Sequence, residues 1–362
     1  MSTQSGRDAL PGRRLRTHLG FAVFGGASRT RPEGRGRGGE LARAWGCRSL
    51  HCVAGGRAVP RLRKPRAVHL GGTIGLAAPG FPIDPAALSA GIAALEGAGY
   101  RVRRRRDLTR ARGFLAGTDA ARAREFMALV RDPKVDAILC VRGGYGCQRM
   151  IGGLDPAVVR AAGKPLIGFS DVTSLLLWQR RRVGLVGFHG MMFDGKGGPA
   201  AGDLASLGRA LAGEPAAPLV GKGRRPGVAR GRLVGGSLTL IAASLGTPWE
   251  LATRDSILLL EEVGEKPYAL DRLLTQLGAA GKLEGLRGVG LGHFTGCTDR
   301  KREHPDADAV LMERLEPLGV PVVSSLPFGH GSPNLTWPVG VRAELDGRGG
   351  TLAFLESGVQ RG

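Results

Sequence analysis

Residues 165–178 read PLIGFSDVTSLLLW, and the fold prediction starts from the turn in the middle of this stretch. The apolar residues before the turn are typical of a short buried strand, and those after it are typical of a helix. Ser170 and Asp171 form the turn itself. A serine between a strand and a helix exposes its hydroxyl beside the next amide, as in a nucleophile elbow. The second glycine of the G-x-S-x-G pattern is missing, so this motif alone favours helix capping by Ser170 over a nucleophile.

Strands and helices alternate on both sides of this turn. Predicted strands lie within residues 67–80, 100–103, 135–141, 165–169, 256–261, 288–294 and 320–324. This alternation predicts an open, mostly parallel α/β sheet with its ligand site at the carboxyl ends of the strands. We expect a nucleophile-bearing α/β domain over 67–192, a Gly-, Pro- and Ala-rich linker over 193–230 and a smaller α/β domain over 231–362.

The charge of the chain is concentrated at its N-terminus. The 362 residues are 42% hydrophobic and 23% charged, which excludes a fully disordered chain, and no apolar run is long enough to span a membrane. Residues 1–66 hold 15 Lys and Arg against 3 Asp and Glu and have no apolar periodicity, so they predict a disordered extension. A nucleic-acid-binding arm and an export signal are the alternatives.

Five cysteines fit neither a disulfide framework nor a zinc motif, which favours a reducing cytoplasm.

A serine nucleophile needs a base, and the base needs an acceptor that fixes its tautomer. The histidines in glycine-flanked, turn-like contexts are His189, His293 and His330. Glu261 directly follows a run of four aliphatic residues, where a buried carboxylate requires a partner. Two further glutamates follow within four residues, so spacing alone does not single out Glu261.

Seven short blocks occur along the chain in a recognisable order. They are RGGYG at 142–146, GFSD at 168–171, GGSL at 235–238, GTPW at 246–249, LEEVGEKPY at 260–268, GLGHF at 290–294 and FGH at 328–330. In the order and spacing of these blocks, the chain from about Ala67 onward resembles the LD-carboxypeptidase family, serine peptidases that include the microcin C immunity proteins.

The resemblance implies a fold and a set of site residues. The fold is a Rossmann-like domain of the class I glutamine amidotransferase type, followed by a smaller α/β domain. The first domain would carry the nucleophile Ser170, and the second would carry Glu261 and the base His330. The backbone amides of Gly144 and Asp171 are expected to form an oxyanion hole.

The resemblance also implies an activity. It predicts a cytoplasmic serine carboxypeptidase that releases the terminal D-alanine of murein tetrapeptides during cell-wall recycling. No metal, cofactor, membrane or obligatory nucleic acid is expected, and a homodimer is left open. Because the substrate carries several carboxylates, a mildly basic cleft is expected, with Arg149 and Arg232 as candidate binding residues.

Two alternatives to this activity remain. The immunity branch of the family hydrolyses aminoacyl-nucleotide toxins, but its members tend to carry Asn-Ser-Asn where residues 142–149 read RGGYGCQR. The other alternative is a non-catalytic protein whose loop 142–146 cradles a phosphate and whose N-terminal segment binds nucleic acid. No Lys-Ser or Lys-Thr pair follows that loop, which disfavours a phosphate-binding loop.

Overall fold

The structure is a computed structural model that describes residues 60–193, 198–299, 301 and 305–360. Residues up to 59 lie outside the described part of the chain, so most of the predicted extension, with Cys47 and Cys52, stays a prediction. The cysteines within the described part, Cys140, Cys147 and Cys297, are buried free thiols. No helix in the described ranges is long and apolar enough to cross a membrane.

Strands and helices alternate through the first half of the described chain, as predicted. The elements are β1 (Thr73–Ala77), α1 (Pro85–Gly97), β2 (Arg101–Arg103), α2 (Asp119–Arg131), β3 (Ala137–Cys140), α3 (Cys147–Met150), α4 (Pro156–Ala162), β4 (Leu166–Ile167), α5 (Thr173–Trp178) and β5 (Gly187–His189). A single 3-10 turn, Ser170–Val172, separates β4 from α5. Asp84 caps α1 through its side chain, and Thr118 does the same for α2.

The second half of the chain contains longer strands. Its elements are α6 (Ala201–Ala212), β6 (Leu219–Val220), β7 (Lys222–Arg225), β8 (Val228–Ser237), α7 (Leu238–Ala242), β9 (Ser256–Val263), α8 (Pro267–Ala279), β10 (Gly288–Thr295), α9 (Ala307–Leu315), β11 (Val322–Ser324), β12 (Trp337–Val339), β13 (Arg342–Asp346) and β14 (Thr351–Phe354).

Two sheets organise these elements within the described residues. The first has the order β12-β5-β4-β3-β1-β2, in which only β12 is antiparallel to its neighbour. The second has the order β6-β14-β13-β8-β9-β10-β11-β7, with β8 to β11 parallel at its centre. The predicted α/β class is confirmed. Parallel strands end at the same edge of a sheet, so the loops after β3 and β4 lie side by side.

The two faces of β9 belong to different hydrophobic cores. Ile257 and Leu259 pack in the core shared with the first sheet, whereas the leucines between and after them pack in a second core with α7, α8 and α9. Side chains alternate across a strand, so Glu261 continues the face that is directed toward the first sheet. Glu262 continues the opposite face. The strand register therefore gives the two neighbouring carboxylates different surroundings.

The segment 193–230, predicted as a linker, contains α6, β6 and β7 and contributes two strands to the second sheet. Its glycines permit close packing of backbone against backbone. A Cβ on Gly221 would lie 2.3 Å from the carbonyl oxygen of Ser324, and one on Gly223 would lie 2.4 Å from that of Gly347. The prediction was wrong here because high glycine content marks tight strand packing as well as flexible connections.

The predicted extension 1–66 ends earlier than expected. Arg63 donates its backbone N–H to the carbonyl oxygen of Gly184 and accepts from the N–H of Val186, each at 2.9 Å. Residues 60–66 are therefore part of the folded unit. Their sequence lacks an apolar period because backbone hydrogen bonds, which leave no periodic signal, attach them to the loop before β5.

Candidate active site

Ser170 lies at the carboxyl end of β4 in a strained backbone conformation. Its φ of +58° is uncommon for a residue with a side chain and costs about 1–3 kcal/mol. Ser170 is the first residue of the 3-10 turn, and neither this turn nor α5 has a side-chain N-cap bond. The helix-capping interpretation is therefore wrong, because Ser170 lies inside the helical segment rather than ahead of it. Strand, strained serine and helix follow one another as in a nucleophile elbow.

The glycine loop, residues 143–146, lies directly against this turn. A Cβ on Gly143 would lie 3.1 Å from Ser170 Oγ and 3.3 Å from the Asp171 nitrogen. Gly144 has a φ of +87°, and a Cβ there would lie 2.4 Å from the Phe81 ring, so only glycine fits. Among the described residues, neither the Gly144 nor the Asp171 amide donates a hydrogen bond. Two unused backbone donors beside a serine are what an oxyanion hole requires.

Two buried charged side chains hold the glycine loop in place. The Asp171 carboxylate accepts from the Cys147 amide at 2.9 Å. Burial raises the pKa of Asp171, and hydrogen bonds from the Cys147 and Gly146 amides act against that rise. The buried guanidinium of Arg122 donates to the carbonyl oxygens of Gly146, at 2.8 Å, and of Pro79. The loop is thus fixed against the serine turn from both sides, by residues whose positioning role no sequence motif indicates.

Glu261 and His330 form a hydrogen-bonded pair. His330 Nδ1 lies 2.6 Å from Glu261 Oε2, and because an ionised carboxylate only accepts hydrogen bonds, the proton between them is assigned to Nδ1. The Glu261 side chain is fully buried, whereas 18% of the His330 side chain is exposed, so only the imidazole can meet a substrate. The His330 ring packs edge-on against Phe169, with 4.8 Å between centroids. Because Phe169 directly precedes Ser170, the pair from the second sheet adjoins the serine turn of the first.

The turn that carries His330 is held by its neighbours. Gly329 has a φ of +100°, and a Cβ there would lie 2.6 Å from Glu261 Cβ, so glycine allows the close approach. The Gly329 amide donates to Asn334 Oδ1 at 2.9 Å, and the Asn334 amide donates to Asp203 Oδ1 at 2.8 Å. The position of His330 therefore depends on Asp203 of α6, which lies in the segment predicted to be a linker.

Glu262 has a structural role that its neighbour lacks. Its Oε2 accepts from the Thr239 amide at 2.7 Å at the start of α7, and its Oε1 accepts from the Val263 amide at 2.9 Å. Burial raises the pKa of Glu262. Burial alone would also raise the pKa of Glu261, but the adjacent imidazoles of His189 and His330 outweigh it and lower the pKa to about 2.

These opposite shifts predict opposite effects of pH on stability. The lowered pKa of Glu261 contributes stability that is present above the ordinary value of 4.5 and is lost as the pH falls toward about 2. The destabilisation caused by Glu261→Gln should therefore shrink between pH 4.5 and pH 2. Glu262→Gln is the matched control. Because the pKa of Glu262 is raised, the wild-type folded state is relatively more stable when Glu262 is protonated, so the destabilisation caused by Glu262→Gln should grow as the pH falls. Urea unfolding at a series of pH values measures both, and parallel trends would contradict the assignment.

The two arginines expected to bind substrate are elsewhere engaged. Arg149 makes a 3.1 Å ion pair with Asp119 at the start of α2. Arg232 donates to the carbonyl oxygen of Gly340 and lies five residues before Ser237, which is paired with Glu261. At about 3.3 Å per residue, Arg232 is about 16 Å from the catalytic end of its strand. That placement contradicts the prediction for Arg232, since ligands bind at the carboxyl ends of parallel strands.

A cleft of about 470 Å³ opens beside His330. Its walls include Phe169, Met191, Asp203 and Asn334. No Arg or Lys occurs among the described lining residues, so the described walls do not provide the expected basic cleft. Within the ranges that the structure describes, no cluster of His, Cys, Asp and Glu is arranged to hold a metal ion.

Comparisons of the sequence and the fold with known proteins agree with one another. Residues 74–190 match the LD-carboxypeptidase N-terminal domain, and residues 230–345 match the LD-carboxypeptidase C-terminal domain. The murein tetrapeptide carboxypeptidase of Pseudomonas aeruginosa is 36% identical over 289 residues, which cover 76% of this chain and 94% of that protein. The solved muramoyltetrapeptide carboxypeptidase of Oxalobacter formigenes is 30% identical, with a TM-score of 0.70 over 77% of this chain and 97% of its own. The microcin C7 self-immunity protein MccF, solved in complex with aspartyl sulfamoyl adenosine, has a TM-score of 0.74 at 22% identity, covering 82% and 100% of the two chains, which shows a likeness of fold alone.

Proposed function

The chain belongs to the LD-carboxypeptidase family, and on that premise we propose that it is a serine carboxypeptidase that cleaves the L,D bond before the terminal D-alanine of murein tetrapeptides. The observation that carries the proposal is the 2.6 Å Glu261–His330 hydrogen bond beside the strained Ser170 turn. Relatives with murein peptide substrates, at 30% to 36% identity, support the substrate class. The reaction would serve cell-wall recycling in the cytoplasm.

In the proposed mechanism, Ser170 Oγ attacks the carbonyl carbon of the scissile bond while His330 Nε2 accepts the hydroxyl proton. Glu261 Oε2 holds the Nδ1–H of His330 and stabilises the imidazolium that forms. The Gly144 and Asp171 amides receive the negative charge of the tetrahedral intermediate, and each such donor is worth about 2.7–4 kcal/mol in comparable sites. His330 then protonates the departing D-alanine amine, and water, activated by the same imidazole, hydrolyses the acyl-enzyme.

The immunity-type hydrolase is the second candidate function. The fold likeness to MccF covers 82% of this chain, and that protein was solved with an aminoacyl sulfamoyl nucleotide. Residues 142–149 favour the carboxypeptidase, because they lack the Asn-Ser-Asn of the immunity branch. The glycine loop within them has the small residues that pack against Ser170.

Product analysis by mass spectrometry separates these functions. The enzyme should release D-alanine from free tetrapeptide and leave an aminoacyl sulfamoyl nucleotide intact. Inverting the last α-carbon exchanges the methyl and carboxylate directions and leaves a charged group unpaired, so kcat/KM should fall at least tenfold to a hundredfold for the L-terminal diastereomer, as expected for about 1–3 kcal/mol. Faster turnover of the nucleotide would assign the chain to the immunity branch. If a fluorophosphonate probe failed to label Ser170, the non-catalytic binding protein would be the remaining interpretation.

A further inference from the structure

His189 is a buried polar residue that the proposed mechanism does not use. It ends β5, has no exposed surface and pairs in register with Trp337, whose ring stacks on the imidazole at 5.0 Å between centroids. Phe169 and Phe328 close two more sides of the ring. Neither imidazole nitrogen has a hydrogen-bond partner among the described residues. Burying an imidazole without a hydrogen-bond partner lowers the stability of the folded state, so the burial of His189 needs a physical reason.

A second unpartnered group faces this imidazole. Glu261 Oε1 is also buried without a hydrogen bond in the described part of the chain, whereas Oε2 accepts from the Nδ1 and the backbone N–H of His330. His189 Nε2 lies 3.8 Å from Oε1, which is slightly beyond hydrogen-bond distance. The three aromatic rings that pack against the His189 ring carry no charge and no hydrogen-bond acceptor comparable to a carboxylate. The carboxylate oxygen is thus the acceptor to which His189 Nε2 is directed.

We propose that His189 is a positioning residue of the catalytic site, whose neutral imidazole donates its Nε2–H to Glu261 Oε1. This assignment rests on the proposed triad. With a donor on each oxygen, the carboxylate cannot rotate about its χ angles, and Oε2 stays aligned with His330 Nδ1. An approach of less than 1 Å converts the observed contact into a hydrogen bond. His189 is not the base itself, because its three aromatic walls and zero exposure keep it from any substrate.

A pair of substitutions separates the donated proton from the packing of the ring. His189→Phe keeps an aromatic ring between Trp337 and Phe169 and removes the N–H. His189→Gln loses the ring but carries an amide N–H that reaches about as far as Nε2. The Phe variant should lower kcat by about tenfold to a hundredfold, the range for one hydrogen bond to a charged group, with KM changed less than twofold. The Gln variant should recover most of the loss. A merely structural role predicts the reverse order, since Phe preserves packing better than Gln.

The proposal and the proposed function can fail separately. Wild-type turnover of tetrapeptide that is lost in Ser170→Ala establishes the serine mechanism first. If His189→Phe then retains full kcat, the role of His189 is overturned while the function stands. Absence of wild-type turnover would instead overturn the proposed function.

A measurement on the folded wild-type protein covers the case in which the Phe variant does not fold. With ¹⁵N-labelled histidine, NMR should show His189 as the neutral tautomer protonated at Nε2, with an N–H signal that shifts in Glu261→Gln. A proton on Nδ1 instead, or a signal unchanged by Glu261→Gln, would overturn the proposal.

Discussion

Ser170→Ala and His330→Ala are each expected to lower kcat by at least about 10⁴-fold, because both remove a group that takes part in bond formation or proton transfer. Without the hydroxyl there is no nucleophile at the turn, and without the imidazole the hydroxyl keeps its proton. Residues that act as one unit give non-additive losses, so the double variant should be little slower than either single one. Turnover of the tetrapeptide under saturating conditions measures all three.

Two variants control this experiment. Ser170→Gly is the folding control, because glycine accepts the φ of +58° without strain and should leave the protein at least as stable as the wild type while inactive. His293 lies on the neighbouring strand β10, and its Nε2 contacts the Pro333 carbonyl oxygen rather than Glu261. The His293→Ala variant should therefore retain most activity. If His293→Ala were inactive and His330→Ala active, the base would be misassigned. Near-normal kcat in Ser170→Ala would refute the serine mechanism.

The parallel sheet and its serine turn could be predicted from the sequence because both are local patterns. An apolar strand, a polar pair and an apolar helix are contiguous at residues 165–178, and the glycine loop follows its own strand in the same way. The choice of Glu261 over Glu262 depends on which face of β9 is directed toward the first sheet. Both faces are aliphatic, so the alternation is invisible in the sequence, and only the family resemblance selected Glu261.

The incorrect predictions have a common physical origin in long-range packing. Arg232 was placed near the substrate by its charge, although it pairs with Ser256, the first residue of β9, whereas Glu261 lies five residues further along that strand. The contact between His189 and Glu261 was not readable, because it joins strands of different sheets that are 72 residues apart. The same holds for Arg122, whose buried guanidinium contacts the loop 24 residues later.

Gly143→Ala is expected to cause the second large loss of activity, about 10²- to 10³-fold in kcat, without unfolding the protein. The added methyl would lie 3.1 Å from Ser170 Oγ and 3.3 Å from the Asp171 nitrogen, where the oxygen of the tetrahedral intermediate needs to be. Gly143 has no left-handed backbone conformation, so alanine adds no backbone strain there. The contacts are too short by only a few tenths of an ångström, so small shifts of the neighbouring atoms can accommodate the methyl group in the native state. The same methyl group would displace the oxyanion from its hydrogen-bond donors.

Gly152→Ala is the matched control, because a Cβ at Gly152 meets no atom within 4 Å and its backbone is also not left-handed. It should leave kcat unchanged and keep or slightly raise stability, since alanine restricts the unfolded chain. Steady-state kinetics and thermal unfolding of both variants, together with the rate of fluorophosphonate labelling, separate a blocked oxyanion hole from a damaged fold. A fully active Gly143→Ala enzyme would mean that the Asp171 amide does not receive the developing charge, and the donors would have to be sought on another loop. The phosphonyl oxygen of the probe uses the same donors as the tetrahedral intermediate. A loss of labelling that parallels the loss of kcat would therefore place the defect in the step in which Ser170 attacks and the oxyanion forms.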